Sequence, residues 1–354
     1  MMLQKVLIND IKQIIEQARN YAYKAVNFSM IIAYWEVGRT IIEEEQNGKD
    51  RAEYGKSLIK ELSKQLTNEY GKGFNKANLE FMRRFYLSNP ITYAVSRQSE
   101  IIKNHPLQSV LRQELTWTHY RILLKVENET ERKFYMNEAA NSNWTTRQLE
   151  RQINTELFKR ISVSKDKNEI LALANEGIEI RKTQDIIKDP FVLEFTGIKA
   201  NSNFYERDLE QALIDKLQDF LLELGKGFSF VARQQRITHE GDHYFVDLVF
   251  YNYLLKCFVL IDLKVGKLTY QDIGQMDGYV RLYEEKLKPV DDNPTIGIIL
   301  CAEKNDTTIK YSLLKDSEQI FASKYQLYFP TKEELIEQIE KEKDYYEQEK
   351  KLNE

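Results

Sequence analysis

The spacing of apolar residues changes near residue 190, and that change limits what the chain can fold into. Through residues 1–160 apolar side chains recur every three or four positions. Ile8, Ile11, Ile14, Ile15 and Ala18 share one helical stripe, and Leu58, Leu62 and Leu66 repeat the pattern. Beyond 190 the pattern shortens into strand-like runs at 228–233, 244–251, 257–265 and 295–302. Helical stretches flank them at 204–224, with Leu209, Leu213, Leu217, Phe220 and Leu224 on one face, and at 268–286. The order α-β-β-β-α-β predicts an α/β chain, an all-helical N-terminal domain followed by a mixed sheet with flanking helices.

The 354 residues suffice for two domains. The expected division is a helical domain over 1–160, a junction over 161–190, a sheet domain over 191–330 and a charged C-terminal helix over 331–354, opened by Thr331. In the junction a polar stretch, Ser162 to Asn168, precedes a helix to about Ile187, and Pro190 bars its continuation. Gly71 stops one helix of the first domain, and Asn75 caps the next, Lys76 to about Tyr86. Thr145-Thr146-Arg147-Gln148 has a capping-box pattern opening a helix to about Arg160. Both resemble the second helix of a helix-turn-helix unit. The first presents Lys76, Arg83 and Arg84; the second presents Arg147, Arg151, Lys159 and Arg160. A plain helical bundle with solvated basic faces would give the same residues.

Net charge is −4, which taken alone argues against a polyanion partner. It is unevenly distributed. Residues 1–160 hold 25 Lys and Arg against 19 Asp and Glu, a net of +6; the remainder holds 26 against 36, a net of −10. The basic half is the one suited to phosphates.

No apolar run approaches the ~20 residues a bilayer span needs, and Met1-Met2-Leu3-Gln4-Lys5 lacks a signal-peptide layout. Cys257 and Cys301 form neither a disulfide framework nor a metal-ligand spacing, which fits a reducing cytoplasm. Two motifs mislead. His239-Glu240-Gly241-Asp242-His243 matches H-E-x-x-H, but that zinc site needs a helix, and Gly241-Asp242 between strand-like runs reads as a hairpin turn. Gly55-Lys56-Ser57 resembles the end of a P-loop, yet the first glycine of that motif would fall on Asp50 with no strand before it. The 21 tyrosines could stack on bases, but at this spacing aromatics usually serve the core.

Chemistry concentrates where charge interrupts apolar strands. Asp247 lies among Phe245, Val246, Leu248, Val249 and Phe250; Asp262 and Lys264 lie within Phe258–Val265. Burying an unpaired charge is costly, so these residues need partners. Strand alternation puts Asp262 and Lys264 on one face, and a hairpin brings Asp247 alongside. A buried ion pair accounts for Lys264 and one aspartate and leaves the second carboxylate uncompensated. A divalent cation, Mg²⁺ or Mn²⁺, answers that better, because it takes carboxylate, water and phosphate oxygens. With the lysine positioning water, such a site suits phosphodiester hydrolysis.

Val246-Asp247, fourteen intervening residues, then Asp262-Leu263-Lys264 resembles the PD-(D/E)XK signature, with Val246 at the proline position. Gln275 and Tyr279 resemble the Q-x-x-x-Y element of its RecB-like members. The family's helix-borne acid would map to Glu210, with Glu206 the competing candidate. More specifically, Asp208–Leu213, Phe220–Phe228, Asp247–Asn252 and Gly274-Gln275-Met276 resemble the YhcG family, as do the N-terminal landmarks Trp117-Thr118-His119-Tyr120 and Trp144–Leu149.

The resemblance implies a restriction-endonuclease-like domain behind a helical one, and a metal-dependent DNA endonuclease. Asp247 and Asp262 would hold metal, with Glu210 a candidate third ligand. Lys264 would orient water, and Gln275 would fix Lys264 or the phosphate. Lys76, Arg83, Arg84, Arg147, Arg151 and Tyr279 are the expected DNA contacts. A homodimer is compatible with double-strand cleavage. The alternatives are a non-catalytic DNA-binding or scaffold protein that keeps the fold, and action on RNA.

Overall fold

The computed structural model describes residues 2–47, 51–90, 105–162, 165–199 and 203–327. They form two compact units. One runs to Glu150 and includes Ala174–Gly177; the other takes Arg151–Leu173 and the residues from Ile178 onward. The helix expected at 331–354 lies outside the described residues.

The first unit is built from α1 (Met2–Asn47), α2 (Arg51–Tyr70), α3 (Lys76–Ser88), α4 (Trp117–Leu123), α5 (Glu129–Asn141) and the start of α6 (Thr146–Asn154). Asn75 caps α3 as expected, its side chain accepting from the Asn78 N–H at 2.9 Å. Asn128 caps α5 in the same way through the Glu131 N–H at 3.0 Å. The core is made by the second half of α1, where Phe28, Ile31, Ile32, Trp35 and Ile41 are buried, together with Ile59 of α2 and Leu79, Met82 and Phe85 of α3. Gly38 sets the distance between α1 and α3. A Cβ there would stand 2.1 Å from the Met82 carbonyl oxygen, so no larger residue fits this crossing. The stripe Ile8, Ile11, Ile14, Ile15 and Ala18 is helical as expected, but these side chains are exposed.

The single helix expected over 148–160 is two, α6 and α7 (Leu157–Ser162), with Glu156 between them at φ 50. The helix expected to reach Ile187 ends earlier, as α8 (Lys167–Glu176). The second unit continues with β1 (Phe191–Val192), α9 (Glu206–Asp215), α10 (Leu217–Leu224), β2 (Phe228–His239), β3 (Asp242–Asn252) and β4 (Cys257–Lys267). It is completed by α11 (Tyr270–Lys286), β5 (Ile296–Glu303), α12 (Asp306–Lys310) and β6 (Ile320–Gln326). The helix expected over 204–224 breaks at Lys216 into α9 and α10. The Glu240 and Gly241 turn joins β2 to β3 with both residues at positive φ, 52 and 94. That is hairpin geometry, so His239 and His243 do not share a helix face. Gly55-Lys56-Ser57 falls inside α2, with no strand before it among the described residues.

The described strands form one six-stranded sheet in the order β1-β6-β5-β4-β3-β2. β2, β3 and β4 are antiparallel neighbours, while β4, β5, β6 and β1 run parallel. Helices cover both faces. Leu209 and Leu213 of α9 and Phe220 and Leu224 of α10 pack with Val259, Ile261 and Leu263 of β4. On the other face Ile273, Met276 and Val280 of α11 pack with Leu260, Ile299 and Cys301. β4 is thus buried on both sides, as a central strand of a mixed sheet must be. Its polar residues stand out against that background. No helix of the described residues is long and apolar enough to cross a membrane.

Candidate active site

β3 and β4 pair from Asn252↔Cys257 to Leu248↔Ile261 and then part, while β4 stays paired with β5 through Lys264↔Cys301. Where the two strands part, the site residues converge. Asp247 Oδ2 accepts the Leu263 N–H at 2.8 Å. Lys264 Nζ stands 2.9 Å from Asp262 Oδ2, 3.8 Å from Glu206 Oε2 on α9 and 4.0 Å from Asp272 Oδ1 on α11. Asp272 itself is fixed by a capping box, accepting the Thr269 N–H at 2.8 Å and its hydroxyl at 2.7 Å. Asp247, Asp262 and Lys264 are therefore brought together as the sequence predicts.

Asp262 is nearly completely buried, and its Oδ2 takes no aligned hydrogen bond although the Lys264 ammonium is close. Burial first, and then the Asp247 charge, push its carboxyl up to about 7 against the pull of Lys264. The Lys264 ammonium is also raised. Burial opposes its charge, but Asp262, Glu206 and Asp247 outweigh burial. The two directions are consistent: one ammonium shared among several carboxylates is held firmly, yet cannot stabilise them all. A buried carboxylate oxygen without an aligned donor is a place for a cation.

Glu210 is buried on α9 and accepts from Arg233 and from Gln234 Nε2. The same Gln234 Nε2 donates to Asp247 Oδ1 at 2.9 Å. Glu210 thus reaches Asp247 through an amide, and among the described residues no group of three or more His, Cys, Asp or Glu is set to hold a metal. The expectation of Glu210 as a direct third ligand is corrected to this indirect link. The two remaining carboxylates suit an ion such as Mg²⁺, which keeps water and phosphate in its other positions. Sequence reasoning missed Gln234. Its φ of 47, rare for a non-glycine residue, aims its side chain between the two acids, and a sequence carries no sign of such a conformation.

Gln275 donates to the Tyr279 hydroxyl one turn along α11. The Tyr279 ring is buried in the core rather than presented to solvent, which corrects its place among DNA contacts. Its hydroxyl is raised first by burial, and also by the Asp262 and Asp247 charges.

The basic residues divide by environment. Lys76, Arg84 and Arg147 are exposed, and Arg84 also lies over the Phe81 ring at 4.9 Å. Arg83 is paired with Glu45 at 2.8 Å. Arg151 is removed from the expected DNA contacts. It bonds Glu194 at 2.7 Å, Glu223 at 3.0 Å and the Val192 carbonyl at 2.9 Å. Arg160 is buried on Glu223 at 2.6 Å, and Lys159 pairs with Glu156 at 2.9 Å.

A mixed sheet whose central strand carries an acid-x-lysine beside a second strand's aspartate defines a nuclease domain of the PD-(D/E)XK class. Residues 184–340 match the YhcG PDDEXK nuclease domain, and residues 10–160 match the DUF1016 N-terminal domain. The chain is 37% identical to YhcG of Escherichia coli (strain K12), whose nuclease activity is itself an assignment, over 92% of this chain and 91% of that one. It belongs to the YhcG family. Among solved structures it is similar to a repair endonuclease from Pyrococcus abyssi, at 21% identity, a TM-score of 0.26, and 36% and 50% of the two chains covered. It is also similar to EndoMS in complex with double-stranded DNA, at 17% identity, a TM-score of 0.27, and 38% and 51% covered.

Proposed function

We propose that this chain is a divalent-metal-dependent DNA endonuclease that uses Mg²⁺ or Mn²⁺ and works in the cytoplasm. The observation behind the reading is the meeting of Asp247, Asp262 and Lys264 where β3 and β4 part, with a buried Asp262 oxygen short of donors. Asp247 and Asp262 would hold the cation, which supplies positive charge against the scissile phosphate. Asp262 keeps the Lys264 ammonium in place, and that ammonium would orient the attacking water. Gln234 holds Asp247, and Glu210 holds Gln234. Gln275, bonded to Tyr279, would contact the phosphate or steady Lys264. Cys257 and Cys301, both buried and unpaired, suit a reducing compartment.

Asp262→Ala tests the reading. Cleavage of a plasmid in Mg²⁺ or Mn²⁺ should disappear, while DNA affinity, carried by phosphate contacts elsewhere, should persist. Equal metal-dependent cleavage by wild type and variant overturns the assignment. A wild type that binds DNA and never cuts it would make this a scaffold keeping the fold.

The helical domain would position DNA or mediate assembly. Lys76, Arg84 and Arg147 are the contacts that remain exposed there, and the net of +6 over residues 1–160 supplies the attraction. Reversing these three charges should flatten the salt dependence of DNA binding by close to one logarithmic unit per lost phosphate contact. An unchanged slope would leave the domain an assembly role.

A further inference from the structure

α1 continues well before the core it serves. Its buried positions Phe28, Ile32 and Trp35 belong to a regular four-three spacing that runs back through Ala25, Tyr21, Ala18, Ile14, Ile11 and Leu7. The earlier members are exposed: Leu7 60%, Ile11 48%, Ile14 64% and Tyr21 78%. Every side chain described between Leu7 and Val26 is exposed. Ile8, Ile15 and Ala22 widen the apolar band on one flank. The opposite face is polar, with Lys12, Gln13 and an ion pair of Glu16 with Arg19 at 3.1 Å.

Twenty residues of helix span about 30 Å. Such a segment, rich in isoleucine, has little reason to stay helical alone in water, because most helix stability comes from packing an apolar face. An apolar band of this spacing is a coiled-coil seam.

The charges bordering the band indicate what covers it. Asp10 and Lys24 stand on the same flank, each seven residues from Gln17. If a second α1 runs antiparallel about Gln17, Asp10 meets Lys24 of the second copy, and the pair repeats by symmetry. Along the seam Leu7 then meets Ala25, Ile11 meets Tyr21 and Ile14 meets Ala18, large against small. A parallel pair would set Asp10 against the Ile15 flank and gain no ion pair. We propose that the first half of α1 is a self-complementary, antiparallel interface with a second copy of this chain, an isologous two-fold contact. It stands independently of the nuclease reading.

The test uses the full chain, with its mass in solution measured by light scattering or sedimentation across a range of concentrations. A dimer is expected. Ile14→Glu should raise its dissociation constant at least tenfold without lowering the thermal midpoint, since the side chain is exposed. Asp10→Lys and Lys24→Asp should each weaken the dimer, and the two together should restore it. Cys257 and Cys301 are buried, so an added thiol reports cleanly. Gln17→Cys should self-crosslink under oxidation, and Asp10→Cys should not. A single-chain mass at all concentrations, a dimer indifferent to Ile14→Glu, or binding of wild type to anionic vesicles in place of dimerisation overturns the proposal. Crosslinking of Asp10→Cys in preference to Gln17→Cys overturns the antiparallel arrangement.

Discussion

The Asp247 carboxylate takes the backbone N–H of Leu263, at 2.8 Å, just past the point where β3 stops pairing with β4. A side chain thus replaces the last rung of the ladder. The residue it holds lies between Asp262 and Lys264, so Asp247 fixes the strand segment that carries the other two site residues. The separation of the strands and the geometry of the site are one feature.

That relationship separates charge from structure at Asp247. Asp247→Asn keeps an oxygen for Leu263, so its thermal midpoint should stay near wild type while metal-dependent cleavage is lost. Asp247→Ala should lose cleavage and also about 1–3 kcal/mol of stability, because the Leu263 N–H is left without a partner. Paired denaturation and plasmid-cleavage measurements check both. Equal stability of the two variants would mean the hydrogen bond carries no weight.

Lys264 sits among Asp262, Glu206 and Asp272 within 4.0 Å. If it only balances charge, Lys264→Arg should keep substantial activity. If it positions water, a planar guanidinium cannot reproduce the compact ammonium. Lys264→Arg and Lys264→Ala are expected to be comparably inactive, with metal binding retained in the arginine variant by calorimetry. A highly active Lys264→Arg protein would reduce the lysine to a counter-ion.

Gln234 joins Glu210 to Asp247 from a backbone conformation at φ 47. Gln234→Gly adopts that φ freely and removes only the amide. Its fold should be intact, and its Mn²⁺ affinity and cleavage rate should fall about 10–100-fold, as is typical when the support of a metal ligand is lost. Wild-type metal affinity in Gln234→Gly would dismiss the bridge as incidental.

Glu223 governs acid stability. Burial works to raise its carboxyl, but Arg160, Lys188 and Arg151 outweigh burial and hold it at about 2, below its ordinary 4.5. A lowered carboxyl contributes fully above the ordinary value and loses that contribution as pH falls through the lowered one. Stability should therefore drop between roughly pH 4.5 and 2, by on the order of 3 kcal/mol, and Glu223→Gln should remove this part of the pH dependence. Urea titrations at stepped pH measure it. An unchanged acid limb in Glu223→Gln would place the dependence elsewhere.

Asp247, Asp262 and Lys264 were legible in the sequence because charge inside an apolar run has few explanations. The caps at Asn75 and Thr269 and the turn at Gly241 were equally open to reading or to confirmation, because local chemistry decides them. β6 was not legible: Ser323, Lys324 and Gln326 interrupt its alternation, and only pairing with β5 makes it a strand. Nor was the fate of Arg151 and Arg160, which look like any basic helix face until Glu223, more than sixty residues later in the chain, is brought beside them. Periodicity likewise established the helix at Ile8–Ala18 without revealing that its apolar face would be exposed.

The Glu223 cluster also bears on what could travel between proteins as a self-sufficient module. The nuclease-domain match opens at residue 184, yet Arg151 and Arg160 supply the guanidinium groups that Glu223 needs. A piece excised at 184 would keep the full catalytic set and carry a buried acid stripped of both arginines. Losing such a partner costs about 3–5 kcal/mol, a large share of the ~5–15 kcal/mol that holds a domain folded. The smallest transferable cutting unit therefore begins at or before Arg151, inside the segment that sequence similarity assigns to the neighbouring domain.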